Sequence, residues 1–143
     1  MTIIGVYSPE GKLEDLLEFY RDLQSVISKL NSKDDIVIAG DLNARVGNKP
    51  IKNIVGKYGE NMVNDNGKHL IDFVSYNNLK ITNTFFPHKY VHKFTWSARG
   101  RRSKIDYIMV NERLSNLVQD TIVYRASLHR VCAPRAGSQL ASG

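Results

Sequence analysis

The stretch Ile36-Val37-Ile38-Ala39-Gly40-Asp41-Leu42-Asn43 decides the reading of this chain. Four consecutive apolar residues, three of them β-branched, mark a short strand buried on both faces. That strand runs directly into a glycine, a carboxylate and an amide. In open α/β sheets such strand ends are where ligands bind. In extended chain, Asp41 and Asn43 project to the same side. A carboxylate there can orient or deprotonate a water, and an amide can donate to a developing oxyanion. Gly, Asp and Asn also end strands in proteins of every kind, so the motif alone leaves a plain turn as the alternative.

Working outward, Thr2–Tyr7 reads as a first strand and Ser8-Pro9-Glu10-Gly11 as the turn that ends it. Leu13, Leu16, Leu17, Tyr20, Leu23, Ile27 and Leu30 recur at helical spacing, giving an amphipathic helix of about five turns. Two strands joined by a helix predict a sheet with helical cover. If they run parallel, Tyr7 and Asp41 lie at one sheet edge. Residues 44–65 are rich in glycine and asparagine and read as a long functional loop. Asn66-Gly67 is placed to cap a second helix burying Leu70, Phe73 and Val74. Strands are expected over Leu79–Thr84, Phe94–Trp96, Lys104–Val110 and Thr121–Tyr124, with a short helix over Arg113–Val118. From Ala126 apolar periodicity stops, so the reading is a domain over 1–125 and a disordered or out-of-family tail over 126–143.

The chain has 143 residues, 42% hydrophobic and 24% charged, which argues for a globular domain and against global disorder. No apolar run spans a bilayer and no secretory leader is visible. One cysteine, Cys132, excludes an internal disulfide framework and fits a reducing compartment, nucleus or cytoplasm. The net charge of +6 favours an anionic partner. Its distribution says more. No acid occurs between Asp72 and Asp106, an interval that holds Lys80, Lys89, Lys93, Arg99, Arg101, Arg102 and Lys104, with Phe85, Phe86, Tyr90, Phe94 and Trp96 between them. Basic residues mixed with aromatics suit phosphates and stacked bases. A solvated loop whose aromatics turn inward fits the same composition.

Asp106 sits among Ile105, Tyr107 and Ile108 in an otherwise apolar strand, where a lone acid is costly without a partner. Alternation places it opposite Ile105 and Tyr107, which a wet sheet face also satisfies. Taken in order, Val6-Tyr7-Ser8-Pro9, Gly40-Asp41-Leu42-Asn43, Phe94-Thr95-Trp96 and Ile105-Asp106-Tyr107-Ile108 resemble the endonuclease/exonuclease/phosphatase superfamily. The run from Asn83-Thr84-Phe85-Phe86-Pro87-His88 to Ile108 looks most like the LINE-type retrotransposon endonucleases and their craniofacial development protein-like branch. The resemblance covers about residues 2–125.

The resemblance implies an α/β chain, an incomplete four-layer α/β/β/α sandwich of the DNase I-like type, and phosphoester hydrolysis with a divalent cation, usually Mg²⁺. It implies that Asp41 aligns or activates the attacking water, that Asn43 holds the scissile phosphate, and that Tyr7 lies at the phosphate. Asp106 would orient a catalytic histidine, and Trp96 would border the site. Lys89, Lys93, Trp96, Arg99, Arg101 and Arg102 are the expected contacts to nucleic acid, with DNA the expected polymer.

The departures are as informative. The family's strands before Tyr7, which carry an asparagine and a metal-binding glutamate, have no counterpart. The terminal Ser-Asp-His is represented only by Ser127-Leu128-His129, and Leu128 offers no oxygen to Mg²⁺. The metal ligands are therefore unassigned from sequence. The expectation is a Mg²⁺-dependent endonuclease by family, truncated and impaired or inactive as this chain. The alternatives are a non-catalytic nucleic-acid-binding module and a transposon relic without activity.

Overall fold

The computed structural model describes residues 1–87 and 106–121 in full, together with the backbone of four short strands between and beyond them. In chain order the elements are β1 (Thr2–Tyr7), α1 (Leu13–Ser28), β2 (Ile36–Asp41), α2 (Asp65–Tyr76), β3 (Leu79–Ile81), a 3₁₀ turn (Thr82–Phe85), β4 (Trp96–Ala98) and β5 (Arg101–Ser103). They continue with β6 (Asp106–Asn111), α3 (Glu112–Ser115), β7 (Val123–Arg125) and β8 (His129–Val131). One mixed sheet has the order β1-β2-β6-β3, and β4-β5 and β7-β8 form two further antiparallel pairs that are not hydrogen-bonded into it.

β1 and β2 run parallel, Thr2 opposite Ile36 through Tyr7 opposite Asp41. A parallel pair needs a crossover, and α1 supplies it. β6 then lies antiparallel to β2, with Asp41 opposite Asp106, and β3 antiparallel to β6. The two faces of this sheet carry different loads. On the first, Ile36, Ile38, Leu79, Ile81, Tyr107 and Met109 pack with Leu16, Tyr20 and Leu23 of α1 and Leu70, Phe73 and Val74 of α2. On the second, Ile108 and Val110 cluster with Leu114 of α3, Val37, Ala39 and Val118. β2 and β6 are thus covered on both sides, as the run of apolar residues at 36–39 requires. β1 is different: Ile4 and Val6 face the helices, whereas Ile3 and Tyr7 are exposed.

Gly40 makes the close approach of β1 and β2 possible. Its φ is +153°, and a Cβ there would lie 1.9 Å from the Val6 carbonyl oxygen. No side chain fits at that point.

Residues 44–65 form the long loop expected between β2 and α2, anchored to the core at Ala44, Val46 and Val55, with Val46 bridging Val63 and Ile51 bridging Val55. Two local expectations need correction. The cap of α2 is Asn64, two residues before the expected position; its Oδ1 accepts the Gly67 N–H at 2.7 Å. Gly67 therefore lies inside the first turn, where a Cβ would meet the Arg45 carbonyl at 1.8 Å. The strand expected over 79–84 ends at Ile81, because Thr84 is claimed from the side. Its hydroxyl accepts the Gly56 N–H at 2.8 Å and its carbonyl the Tyr58 N–H at 2.9 Å, which curls 82–85 into the 3₁₀ turn. Near the end of the chain, β7 and β8 pair by backbone, with Arg125 opposite His129.

Candidate active site

The paired strands place Tyr7, Asp41 and Asp106 in one row across β1, β2 and β6. Residues at paired positions share a sheet face. Asp41 follows Val37 and Ala39 in alternation and Asp106 precedes Ile108 and Val110, so the row belongs to the second face. Directly opposed residues have Cβ atoms about 4.5–5.5 Å apart, which brings the Asp41 and Asp106 side chains together. Tyr7 is 72% exposed and Asp106 only 7%. The row therefore grades from an open phenol to a buried carboxyl, and the wet-face alternative for Asp106 does not hold.

Beyond Asp41 the chain is not extended. Asn43 takes φ +47°, and its N–H donates to Asp41 Oδ1 at 3.0 Å, closing an Asx turn. The Asn43 Nδ2 donates to the Ser8 carbonyl at 2.8 Å, while the Ser8 N–H donates to the Asp41 carbonyl at 2.8 Å. Ser8 is fully buried. The exit of β1 is thereby fastened to the Asp41–Asn43 turn, so the two residues come together through the turn and not by alternation along an extended chain.

Two further residues hold this turn, and sequence reading assigned neither of them that task. Asn64 Oδ1 accepts the Arg45 N–H at 2.9 Å in addition to its helix cap, and its Nδ2 reaches the Asn43 carbonyl at 3.5 Å. Tyr107, fully buried, donates its hydroxyl to the Ala44 carbonyl at 3.0 Å. Burial, and then the nearby Glu60 carboxylate, push the Tyr107 phenol well above its ordinary value. It stays a protonated donor across the physiological range. Burial also raises Tyr20 above 10.0, and its hydroxyl has no hydrogen-bond partner among the described residues.

These two tyrosines predict an alkaline limit to stability. Both folded-state values lie above the unfolded value of 10.0, so their contribution is complete below pH 10 and is lost as pH rises above it. Each tyrosine kept protonated in the fold costs about 1.4 kcal/mol per pH unit above that point. Urea midpoints between pH 8 and 12 should be flat and then fall, and Tyr20→Phe should flatten the fall. A steep fall unchanged in Tyr20→Phe would show that this phenol is not the source.

Of the residues expected to meet nucleic acid, Trp96, Arg101 and Arg102 belong to the β4-β5 pair by backbone, Trp96 opposite Ser103 and Arg102 opposite Ser97. Their side chains, and Lys89, Lys93 and Arg99 altogether, lie outside the described residues. Lys80 of the same interval is described: its ammonium stands 4.1 Å over the Phe85 ring, and burial lowers its pKa. The side chain of His129 is likewise outside the described residues. A groove of about 470 Å³ between the first turns of α1 and α2 opens beside Pro9. Its lining mixes Lys12, Lys68 and His69 with Asp65 and Asp72, so it is no track for a polyanion.

Among the described residues no helix is long and apolar enough to cross a membrane, and no cluster of three or more His, Cys, Asp or Glu side chains forms. The row does supply two carboxylates, and Mg²⁺ commonly binds through one or two carboxylates while keeping several waters. The donor set fits such an ion.

Comparison with known proteins agrees with this architecture. Residues 1–132 match the family described as endonuclease-reverse transcriptase. The chain is 40% identical over 123 residues to craniofacial development protein 2 of Bos taurus and 39% identical over 123 residues to that of Tragulus javanicus. The matched segment is 83% of this chain and 21% of each relative, so the chain spans about one fifth of their length. The solved endonuclease domain of TRAS1, a telomere-specific non-LTR retrotransposon, is similar with a TM-score of 0.53 over 82% of this chain and 47% of that one, at 20% identity. That similarity shows the fold to be the α/β, DNase I-like type. With the family pattern running through residues 1–132, from β1 to past β8, the chain belongs to the endonuclease-reverse transcriptase family.

Proposed function

We propose that this chain carries the phosphodiesterase centre of a nucleic-acid endonuclease, with DNA as the substrate polymer. The single observation that carries the reading is the row Tyr7–Asp41–Asp106 at one sheet edge, closed by the Asn43 turn.

Asp41 orients the attacking water and accepts its proton. Asn43 uses one Nδ2 hydrogen on the Ser8 carbonyl and keeps the second for a phosphate oxygen. Because the first hydrogen bond fixes the amide plane, the second hydrogen is aimed before substrate arrives. Tyr7, exposed at the rim, donates its phenolic hydrogen to another phosphate oxygen. Asp106 adds a second carboxylate opposite Asp41, oriented by its place in the sheet. Mg²⁺, held by Asp41 and Asp106, would supply charge neutralisation at the phosphate and polarise the bond being cleaved.

The test is nicking of supercoiled plasmid in Mg²⁺ and in EDTA. The reading expects nicking in Mg²⁺ that is slow, in keeping with the missing glutamate and Ser-Asp-His of the family pattern, none in EDTA, and loss in Asp41→Ala. A folded chain that leaves the plasmid supercoiled at every Mg²⁺ concentration sinks it.

A second reading has its own observation, the acid-free interval between Asp72 and Asp106 with seven Lys and Arg. A non-catalytic nucleic-acid-binding module would use it. Binding would then weaken steeply with salt, ignore Mg²⁺ and Asp41→Ala, and fall on charge reversal at Arg101 and Arg102. Unchanged binding in that double variant would exclude it.

A further inference from the structure

β6 loses its main-chain neighbour halfway along. β3 pairs with it from Leu79 opposite Asn111 to Ile81 opposite Met109, and there the chain turns away into the 3₁₀ turn. Continuing the register would set Thr82 against Ile108 and Thr84 against Asp106. The backbone groups of Ile108 and Asp106 on that side would be left without a strand. They are buried, and an unmet buried N–H or carbonyl costs about 1–3 kcal/mol.

Side chains take over the missing ladder. Thr82 Oγ1 donates to the Ile108 carbonyl at 2.8 Å. Asn83 Oδ1 accepts the Ile108 N–H at 2.7 Å, and its Nδ2 donates to the Asp106 carbonyl at 3.3 Å. One acceptor and one donor, spaced to meet N–H of one residue and C=O of the residue two before it, is what a residue of a parallel neighbouring strand presents. The Asn83 amide thus fills the gap with a parallel-type link where the antiparallel ladder stops. A primary amide is the side chain that offers the same pair of groups in one plane. Asn83 is 3% exposed and Thr82 fully buried, so no water substitutes readily.

We infer that Asn83 is a positioning residue for Asp106: its carboxamide stands in for a strand and sets where β6 delivers Asp106 beside Asp41. Thr82 continues the same ladder and bonds Ile108 alone. The inference rests on the proposed catalytic reading for its functional consequence, and on the hydrogen bonds alone for the positioning.

Three measurements test it. In the unaltered chain, the Ile108 amide should be protected from hydrogen exchange although no strand among the described residues pairs with it on that side. Free exchange there overturns the inference without any variant. In Asn83→Ala, or Asn83→Ser should the alanine chain not fold, Ile108 exchange should accelerate and the Asp106 side-chain carboxyl ¹³C resonance should move. Thr82→Val removes a ladder bond without touching Asp106, and should leave that resonance in place. In nicking assays kcat should fall about 10–100-fold in the Asn83 variant with KM for DNA unchanged, as for groups that orient a catalytic ligand. Equal shifts of the Asp106 resonance in both variants would mean a merely structural role. A parent chain that never nicks DNA fails the catalytic reading, while exchange and resonance position still decide Asn83.

Discussion

Gly40→Ala is expected to abolish the cooperative unfolding transition, leaving no folded chain to assay. The added Cβ would lie 1.9 Å from the Val6 carbonyl oxygen, 2.8 Å from its carbon and 3.0 Å from its nitrogen, and all three are backbone atoms that cannot rotate aside. The φ of +153° adds strain that an L side chain seldom accepts. Relief would require β1 to separate from β2 at Val6 opposite Gly40, next to the Tyr7–Asp41 pair. A loss above about 4–5 kcal/mol is expected, and domains of this kind have only about 5–15 kcal/mol in total. Circular dichroism during heating reads the result. A cooperative melt within a few degrees of the parent would show that the strands can part at little cost. Gly67→Ala is an informative companion, since alanine should favour a helix by about 1 kcal/mol. The Arg45 carbonyl at 1.8 Å should outweigh that gain and destabilise the chain.

The second large effect is functional. In a chain shown to nick DNA, Asp41→Ala should lower the rate by about 10³-fold or more, because one residue supplies both the water-orienting carboxylate and a cation ligand. Its Oδ1 also accepts the Asn43 N–H, so alanine loosens the turn that aims the Asn43 amide. Asn43→Ala should cost less, about 10²-fold, since one oxyanion donor is lost while the proton acceptor remains. Because the two share a turn, the double variant should fall short of the product of the single effects. Single-turnover nicking of the four chains measures this. A fully multiplicative result would mean that the residues act independently and that the Asx turn plays no part in aiming Asn43.

Much of the fold was legible because it is periodic. Ile36–Ala39 reads as a doubly covered strand, and Leu16, Tyr20, Leu23, Leu70, Phe73 and Val74 recur at helical spacing and are the residues that α1 and α2 bury. Leu13 and Leu17 obey the same spacing yet stay 57% and 40% exposed, since periodicity does not say where the sheet beneath a helix ends. The 3₁₀ turn at 82–85 and the anchoring of the 44–65 loop are not legible in sequence for one reason. Their order comes from contacts distant in sequence, such as Tyr58 N–H to the Thr84 carbonyl and Ile81 N–H to the Ile54 carbonyl, which leave no local pattern.

For the candidate site the division is similar. The residue types that can do the chemistry, Tyr7, Asp41, Asn43 and Asp106, stand out in sequence because a polar group at the end of an apolar strand is conspicuous. Their order along the chain is enough to suggest the family. What only the tertiary structure decided is that Tyr7, Asp41 and Asp106 share one row on one face, that Asp106 is buried, and that Asn43 is turned by an Asx bond. Strand register and backbone turns arise from hydrogen bonds between main-chain groups that every residue carries alike, so residue identity constrains them only through what the rest of the chain allows. The exceptions are Gly40, where Val6 leaves space for no side chain, and Asn83, whose amide mimics the main chain itself.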